Sequence, residues 1–428
     1  MQVGITLIIM LLLMAFSLPV AFSLCLSGSV GLIISNGFNS FFHLVGTIAH
    51  TEVANFSLTT IPMFILMAEI ASRGNLAKQL FTLANRSIGH LPGGVAIATV
   101  LASAGFGAMC GTSSAAAATM SNIAVPEMRK IGYTPKVATG VVAISGTLAI
   151  MIPPSVPMII YGLTTETSIG KLLIAGILPG ILTAIMHSAG IFVWSKISPE
   201  SIPKGSRYTW KQRLETLKGL LPFIVVVFCV IGGMYSGVAT PTEIASLGAL
   251  VTLIICLAMR SIDLKGIIEA IKKTVLTTTM ILTILVGAMT FGYFLTASQA
   301  AQKMIMFITS AGLPNWLIMA CLIVLYIILG CILDAVAILL ITLPLTFPLV
   351  TSLGFDGIWF GVIVIKLCEI GLVTPPVGIN VYVTSGATGV PLEEVFKGTG
   401  VMLCFESIVF ILLLLFPAIS LFLPSLMK

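Results

Sequence analysis

Apolar runs close to the length of a bilayer crossing follow one another along the chain, at 3–18, 20–36, 57–72, 172–195, 219–236, 241–259, 274–295 and 402–423. About 20 apolar residues carry a helix across the ~30 Å hydrocarbon core, so each run predicts a span. The longest polar stretch, about 196–218, leaves no room for a soluble domain. Two further apolar runs hold adjacent prolines, AIMIPPSVPMIIY (149–161) and GLVTPPVGINVY (371–382). Proline lacks the N–H for a helical bond and its ring clashes with the preceding turn. Each run therefore predicts a span broken at membrane depth, over 137–162 and 357–383.

Just before each break lies an apolar stretch interrupted near its middle. The first is PGGVAIATVLASAGFGAMCGTSSAAAATMSNIAVP (92–126), with the small polar tip CGTSSA. The second is PNWLIMACLIVLYIILGCILDAVAILLITLPLTFP (314–348). Each predicts a re-entrant helical hairpin. Amphipathic stretches precede both, at 72–90 and 296–312, and predict arms lying along the membrane surface.

These pairs reflect one repeat. A shift of 222 residues aligns Pro19 with Pro241, Leu91–Pro92 with Leu313–Pro314, Pro126 with Pro348, Gly132 with Gly354 and Pro153–Pro154 with Pro375–Pro376. Proline is about 5% of an average chain, so coincidence does not account for the pattern. The chain reads as two halves, 1–205 and 217–428, joined by a basic linker at 206–216. Five spans plus one hairpin in each half would invert the second relative to the first. With the N-terminus outside, seventeen basic residues fall inside: Arg73, Lys78, Arg86, Arg129, Lys130, Lys136, Lys196, Lys204, Arg207, Lys211, Arg213, Lys218, Arg260, Lys265, Lys272, Lys273 and Lys397. Only Lys171, Lys303 and Lys428 fall outside, and Lys366 lies within a span. The positive-inside rule then puts both termini in the periplasm.

Composition agrees with this reading. The chain is 58% hydrophobic and only 8% charged, against about 25% charged in a soluble domain. The N-terminal MQVGITLIIMLLLM lacks a basic leader region and reads as a retained helix. Eight cysteines (25, 110, 229, 256, 321, 331, 368, 404) scatter through apolar segments without a CxxC pair. They read as small core residues. His43, His50, His90 and His187 show no metal-ligand spacing. Trp316 and Trp359 are expected at the outer interface.

Chemistry concentrates at the tips and breaks. A broken membrane helix offers free carbonyls to a cation at one end, and free N–H groups with the positive dipole end to an anion at the other. The competing reading of GTSSAAAA is a small-residue helix contact, and that of a proline pair is a simple kink. Their repetition at one offset favours two related ion sites, beside SGTLAIMIPPS (145–155) and CEIGLVTPPVG (368–378). Asp334, Lys366 and Glu369 sit at membrane depth, where charge is costly. Lys366 could draw a solute carboxylate or pair with Glu369 three residues on. An intramembrane enzyme using Ser113 or Ser114 is disfavoured, since spacing places no His or Lys base near that tip. A channel is disfavoured because inverted broken helices suit alternating access.

The motifs IPPSVPMIIYG (152–162), YSGVATPTEIASLGAL (235–250), LDAVAILLITLP (333–344) and EIGLVTPPVGINVYV (369–383) resemble the large membrane subunit of the tripartite ATP-independent periplasmic (TRAP) transporters. The resemblance covers essentially the whole chain. It implies an all-α elevator in the bacterial inner membrane, without organic cofactor, that imports an acidic solute such as sialic acid, another sugar acid or a C4-dicarboxylate, coupled to Na⁺. It implies two partners, a periplasmic solute-binding protein and a small four-helix membrane subunit. Two or more Na⁺ ions would sit at the tips and facing breaks, with Thr112, Ser113, Ser145, Thr147, Asp334, Glu369 and Thr374 as candidate ligands. Ser114, Pro154, Lys366, Pro376 and Asn380 are the candidate solute contacts. The alternative is a stand-alone divalent-anion–sodium carrier that needs no binding protein. Proton coupling stays open beside Na⁺ coupling.

Overall fold

The computed structural model describes residues 2–427 apart from 39, 40, 43–45, 48, 49, 52, 53, 218 and 311. His43, Lys218 and Lys428 thus lie outside the described residues. Among the described residues every regular element is helical. Seven helical stretches are long and apolar enough to cross a membrane, among them Pro135–Thr165, Ile169–Ile197, Trp210–Ser236 and Leu264–Ala297.

Two packed groups organise the molecule. Gln2–Ala15, Val20–Asn36, Thr60–Arg73, Pro241–Ala258 and Leu264–Ala297 pack together as one group. Small residues set its closest contact. A Cβ on Gly28 would lie 2.7 Å from the Phe291 backbone, and one on Gly287 would lie 2.2 Å from the Ala21 carbonyl oxygen. Val20–Asn36 and Leu264–Ala297 therefore meet backbone to backbone, as membrane helices do at small residues. The second group holds the hairpins, the broken helices, Ile177–Ile197 and Leu392–Leu415. Two amphipathic helices run between the groups, Leu76–Ile88 and Ala300–Ser310. Leu76–Ile88 buries Leu76, Ala77, Leu80 and Phe81 as it packs on Gly94–Cys110.

Element bounds recur at the 222-residue offset. Val20–Asn36 shifted gives 242–258, against Pro241–Ala258. Ser113–Ile131 gives 335–353, against Ala335–Ser352. Val156–Thr165 gives 378–387, against Ile379–Thr388. The hairpins run longer than their flanking prolines suggest. The first is Gly94–Cys110 followed by Ser113–Ile131, with Pro126 inside the second helix. The other is Asn315–Gly330 followed by Ala335–Ser352, with Pro344 and Pro348 inside. Proline is tolerated within membrane helices, and these prolines mark no boundary.

Two placements correct the sequence reading. Trp316 is exposed, but Trp359 is buried, stacks on Phe355 and donates its indole N–H to the Leu413 carbonyl at 3.0 Å. Trp359 is thus a packing residue and not an interface anchor. Lys272 and Lys273, which the apolar run 274–295 leaves in an inside loop, lie in the third turn of the 34-residue helix Leu264–Ala297. The Asp263 side chain starts that helix early by accepting from the Gly266 N–H at 2.8 Å.

Candidate functional site: two hairpin tips at one cavity

Each break is built from local sequence. In the first half the chain leaves the helix at Ser145, makes one further turn over Leu148–Met151, and restarts at Val156. Ser155 caps the restart, accepting from the Met158 N–H at 3.3 Å and donating to the Ile150 carbonyl at 2.5 Å. In the second half Gly357–Gly371 ends just before the proline pair and Ile379–Thr388 resumes after it. Thr374 donates to the Ile370 carbonyl at 2.6 Å.

Tip and break meet in both halves. The Val156 N–H donates to the Gly111 carbonyl at 3.1 Å. In the second half the Val377 and Gly378 N–H groups both donate to the Cys331 carbonyl, two residues before the offset mate of Gly111, at 3.2 Å. Gly330 and Gly371 touch so closely that a Cβ on Gly371 would lie 2.4 Å from the Gly330 Cα. A side chain at either position would push the second tip off its break.

The tips themselves match. Thr112 and Asp334 are extended residues immediately before Ser113–Ile131 and Ala335–Ser352. Asp334 caps its helix, its Oδ2 accepting from the Val336 N–H at 3.1 Å, whereas the Thr112 side chain makes no such cap. Both helices thus present N-terminal N–H groups and the positive dipole end at the tips.

Both tips open on one cavity of about 550 Å³, within the usual range for small-molecule sites. Thr112, Ser113, Ser114 and Asp334 line it from the hairpins; Glu69, Ser72, Lys273 and Thr277 line it from the other packed group. Of the candidate ion and solute residues, these four hairpin residues come together at the cavity. Ser145 and Thr147 are fully buried in the first break, their hydroxyls donating to the Val141 and Ile144 carbonyls at 2.5 and 2.7 Å. Their oxygens keep a lone pair for a cation. Pro154 lies in the first break, where its carbonyl faces Gly111 of the tip. Thr374 and Pro376 lie in the second break, outside the cavity lining. Asn380 is buried, donating to the Ala143 carbonyl at 3.3 Å.

Lys366 and Glu369 do not face the cavity. Both are fully buried, and Lys366 Nζ lies 2.7 Å from Glu369 Oε2, 2.6 Å from Glu406 Oε1 and 2.7 Å from Thr183 Oγ1. Glu406 in turn meets His187 Nε2 at 2.7 Å. Enclosed by these groups and donating to Glu369 and Thr183, Lys366 is not free for a solute, and its pairing with Glu369 is the reading the geometry favours. The sequence reading missed Glu406, Thr183 and His187 here, and it missed Lys273 as the cation at the cavity. Among the described residues no group of three or more His, Cys, Asp or Glu is arranged to hold a metal ion, so an ion here would rest on hydroxyls, carbonyls and single carboxylates.

A helical bundle of apolar spans, whose two hairpin tips close on a largely apolar cavity with a few polar and charged groups, has the architecture of a membrane permease. Residues 7–419 match the model of the family described as "Tripartite ATP-independent periplasmic transporter, DctM component", and the chain belongs to that family. It is 35% identical to the C4-dicarboxylate TRAP transporter large permease protein DctM of Pseudomonas aeruginosa, over 87% of this chain and 87% of that one. It is 31% identical to the sialic acid TRAP transporter large permease protein SiaM of Vibrio cholerae, over 96% and 95%. Its fold is like the crystal structure of the Alcanivorax borkumensis YdaH transporter, with a TM-score of 0.64 at 16% identity, covering 92% of this chain and 89% of that one.

Proposed function

We propose that this chain is the large transmembrane subunit of a Na⁺-coupled importer for an acidic organic solute. The solute would arrive on a periplasmic binding protein, and a small four-helix subunit would complete the membrane complex. The observation that carries this reading is the meeting of both hairpin tips at one cavity of about 550 Å³. Na⁺ would bind where tip meets break, at the first site on Thr112, Ser113, Ser145 and Thr147 and at the second on Asp334 and Thr374. The solute, a sugar acid such as sialic acid or a C4-dicarboxylate, would occupy the cavity against Ser113, Ser114 and the helix N-termini.

The two halves would be inverted in the bacterial inner membrane, with both termini periplasmic. The hairpin group would then move as an elevator against the group holding Val20–Asn36 and Leu264–Ala297. Glu69 and Lys273 lie toward the ends of their helices nearest Arg73 and Lys265, on the side rich in basic residues. The positive-inside rule makes that side cytoplasmic, so this conformation reads as facing inward, with Lys273 the counter-charge a solute carboxylate meets on release.

Component omission tests the assembly. Vesicles holding this chain alone should show little uptake, and adding the small subunit and the cognate binding protein should restore it. Robust uptake by this chain alone would favour the stand-alone carrier.

A further inference from the structure

The segment joining the two halves is strongly basic. Between 204 and 218 it holds five basic residues (Lys204, Arg207, Lys211, Arg213 and Lys218) against one acidic residue, Glu215. Lys204, Arg207 and Lys211 are exposed, and among the described residues no ion pair or hydrogen bond engages their side chains. Within this segment Trp210–Leu217 is an eight-residue helix that buries none of its residues. Helical spacing puts Trp210, Leu214 and Leu217 on one face, and they are 75%, 59% and 47% exposed. Lys211 and Arg213 flank that face, while Gln212, Glu215 and Thr216 lie opposite.

The polar face is the one the protein holds. Arg86 of the arm Leu76–Ile88 donates to the Gln212 carbonyl at 3.2 Å. Arg213 Nη2 lies 3.4 Å from His90 Nδ1, just past the end of that arm. Glu215 and Thr216 line a groove with Asn75, Lys78 and Gln79. The apolar face is left pointing away, and it stands at the membrane boundary. Two residues after Leu217 the chain enters the apolar run 219–236, whose first helix, Leu220–Val227, packs on the same arm.

We propose that Trp210–Leu217 lies in the headgroup layer of the adjoining leaflet and binds anionic phospholipid there. Trp210, Leu214 and Leu217 enter the acyl boundary, and Lys204, Arg207 and Lys211 meet the lipid phosphates. A Trp and Leu face flanked by Lys and Arg is the pattern of a helix lying in the plane of the interface, and basic residues beside a membrane draw anionic lipid. Charge selects the occupant: a neutral lipid or an apolar protein surface covers the face but leaves these cations unanswered. The Arg213 guanidinium stands 5.3 Å from the centroid of the Trp210 ring, so positive charge sits at the apolar face itself. Lipid bound here pins the linker and, through Arg86, the arm at one depth in the bilayer, whatever the solute.

Trp210 itself reports the outcome. The purified full-length chain is placed in vesicles of phosphatidylglycerol and phosphatidylcholine in equal parts, with bromines near the headgroup carried by one lipid or the other. The emission lost in Trp210→Phe separates Trp210 from Trp194, Trp316 and Trp359. Quenching of Trp210 should be about twofold stronger when phosphatidylglycerol carries the bromines. A variant with both Arg207→Gln and Lys211→Gln, two exposed positions, should fold normally and lose that preference. Equal quenching in the wild type would mean a membrane surface without anion binding, and no quenching would leave the face to a protein partner. Either result overturns the proposal, as does a preference that survives in the double variant.

Discussion

Lys366→Gln should be among the most destabilising single substitutions outside the glycine contacts. It leaves Glu369 and Glu406 facing each other without the ammonium that lies 2.7 and 2.6 Å from them. Removing one partner of a buried ion pair costs about 3–5 kcal/mol, so the melting temperature should fall by several degrees. Adding Glu369→Gln should recover much of the loss, since Glu406 keeps His187 as its partner at 2.7 Å. Thermal unfolding of the purified single and double variants checks both statements. A single variant as stable as the wild type would mean that the cluster does not brace these helices.

The second large effect concerns Asp334, in the tip region of the second hairpin. Asparagine keeps a side-chain oxygen able to cap the Val336 N–H now bonded at 3.1 Å, so Asp334→Asn should fold normally. It removes the only carboxylate that the hairpins contribute to the cavity lining. If Na⁺ at the second site is held partly by charge, the Na⁺ concentration for half-maximal uptake should rise, approaching tenfold where ~1.4 kcal/mol of binding is lost. Thr112→Ala, at the matching place in the first tip, should shift it less. Unchanged Na⁺ dependence in Asp334→Asn would remove this carboxylate from the ion site.

Much of the architecture was legible because proline and glycine leave the same marks twice. The paired prolines predicted both breaks, and the polar interruption CGTSSA predicted the first tip where the chain turns at Gly111. Boundaries set by prolines were less readable. Pro126 and Pro348 stop no helix here, as membrane helices tolerate proline within them.

The buried cluster was only half visible. Lys366 and Glu369 are three residues apart and announce each other, but His187 and Glu406 are 219 residues apart with no shared period. A signal was present nonetheless. Both lie inside apolar runs, 172–195 and 402–423, where the cost of polar groups that singled out Asp334 applies equally. Lys273 was misplaced for a different reason. Hydropathy marks where lipid begins, not where a helix does, and Leu264–Ala297 starts ten residues before its apolar run.

Uptake against imposed gradients tests the central claim most directly. Vesicles holding the large and small subunits, supplied with the solute-loaded binding protein outside, would be given either an inward Na⁺ gradient at equal pH or an inward proton gradient without Na⁺. The account predicts solute accumulation with the Na⁺ gradient and none with the proton gradient alone. Accumulation driven by the proton gradient and indifferent to Na⁺ would contradict it.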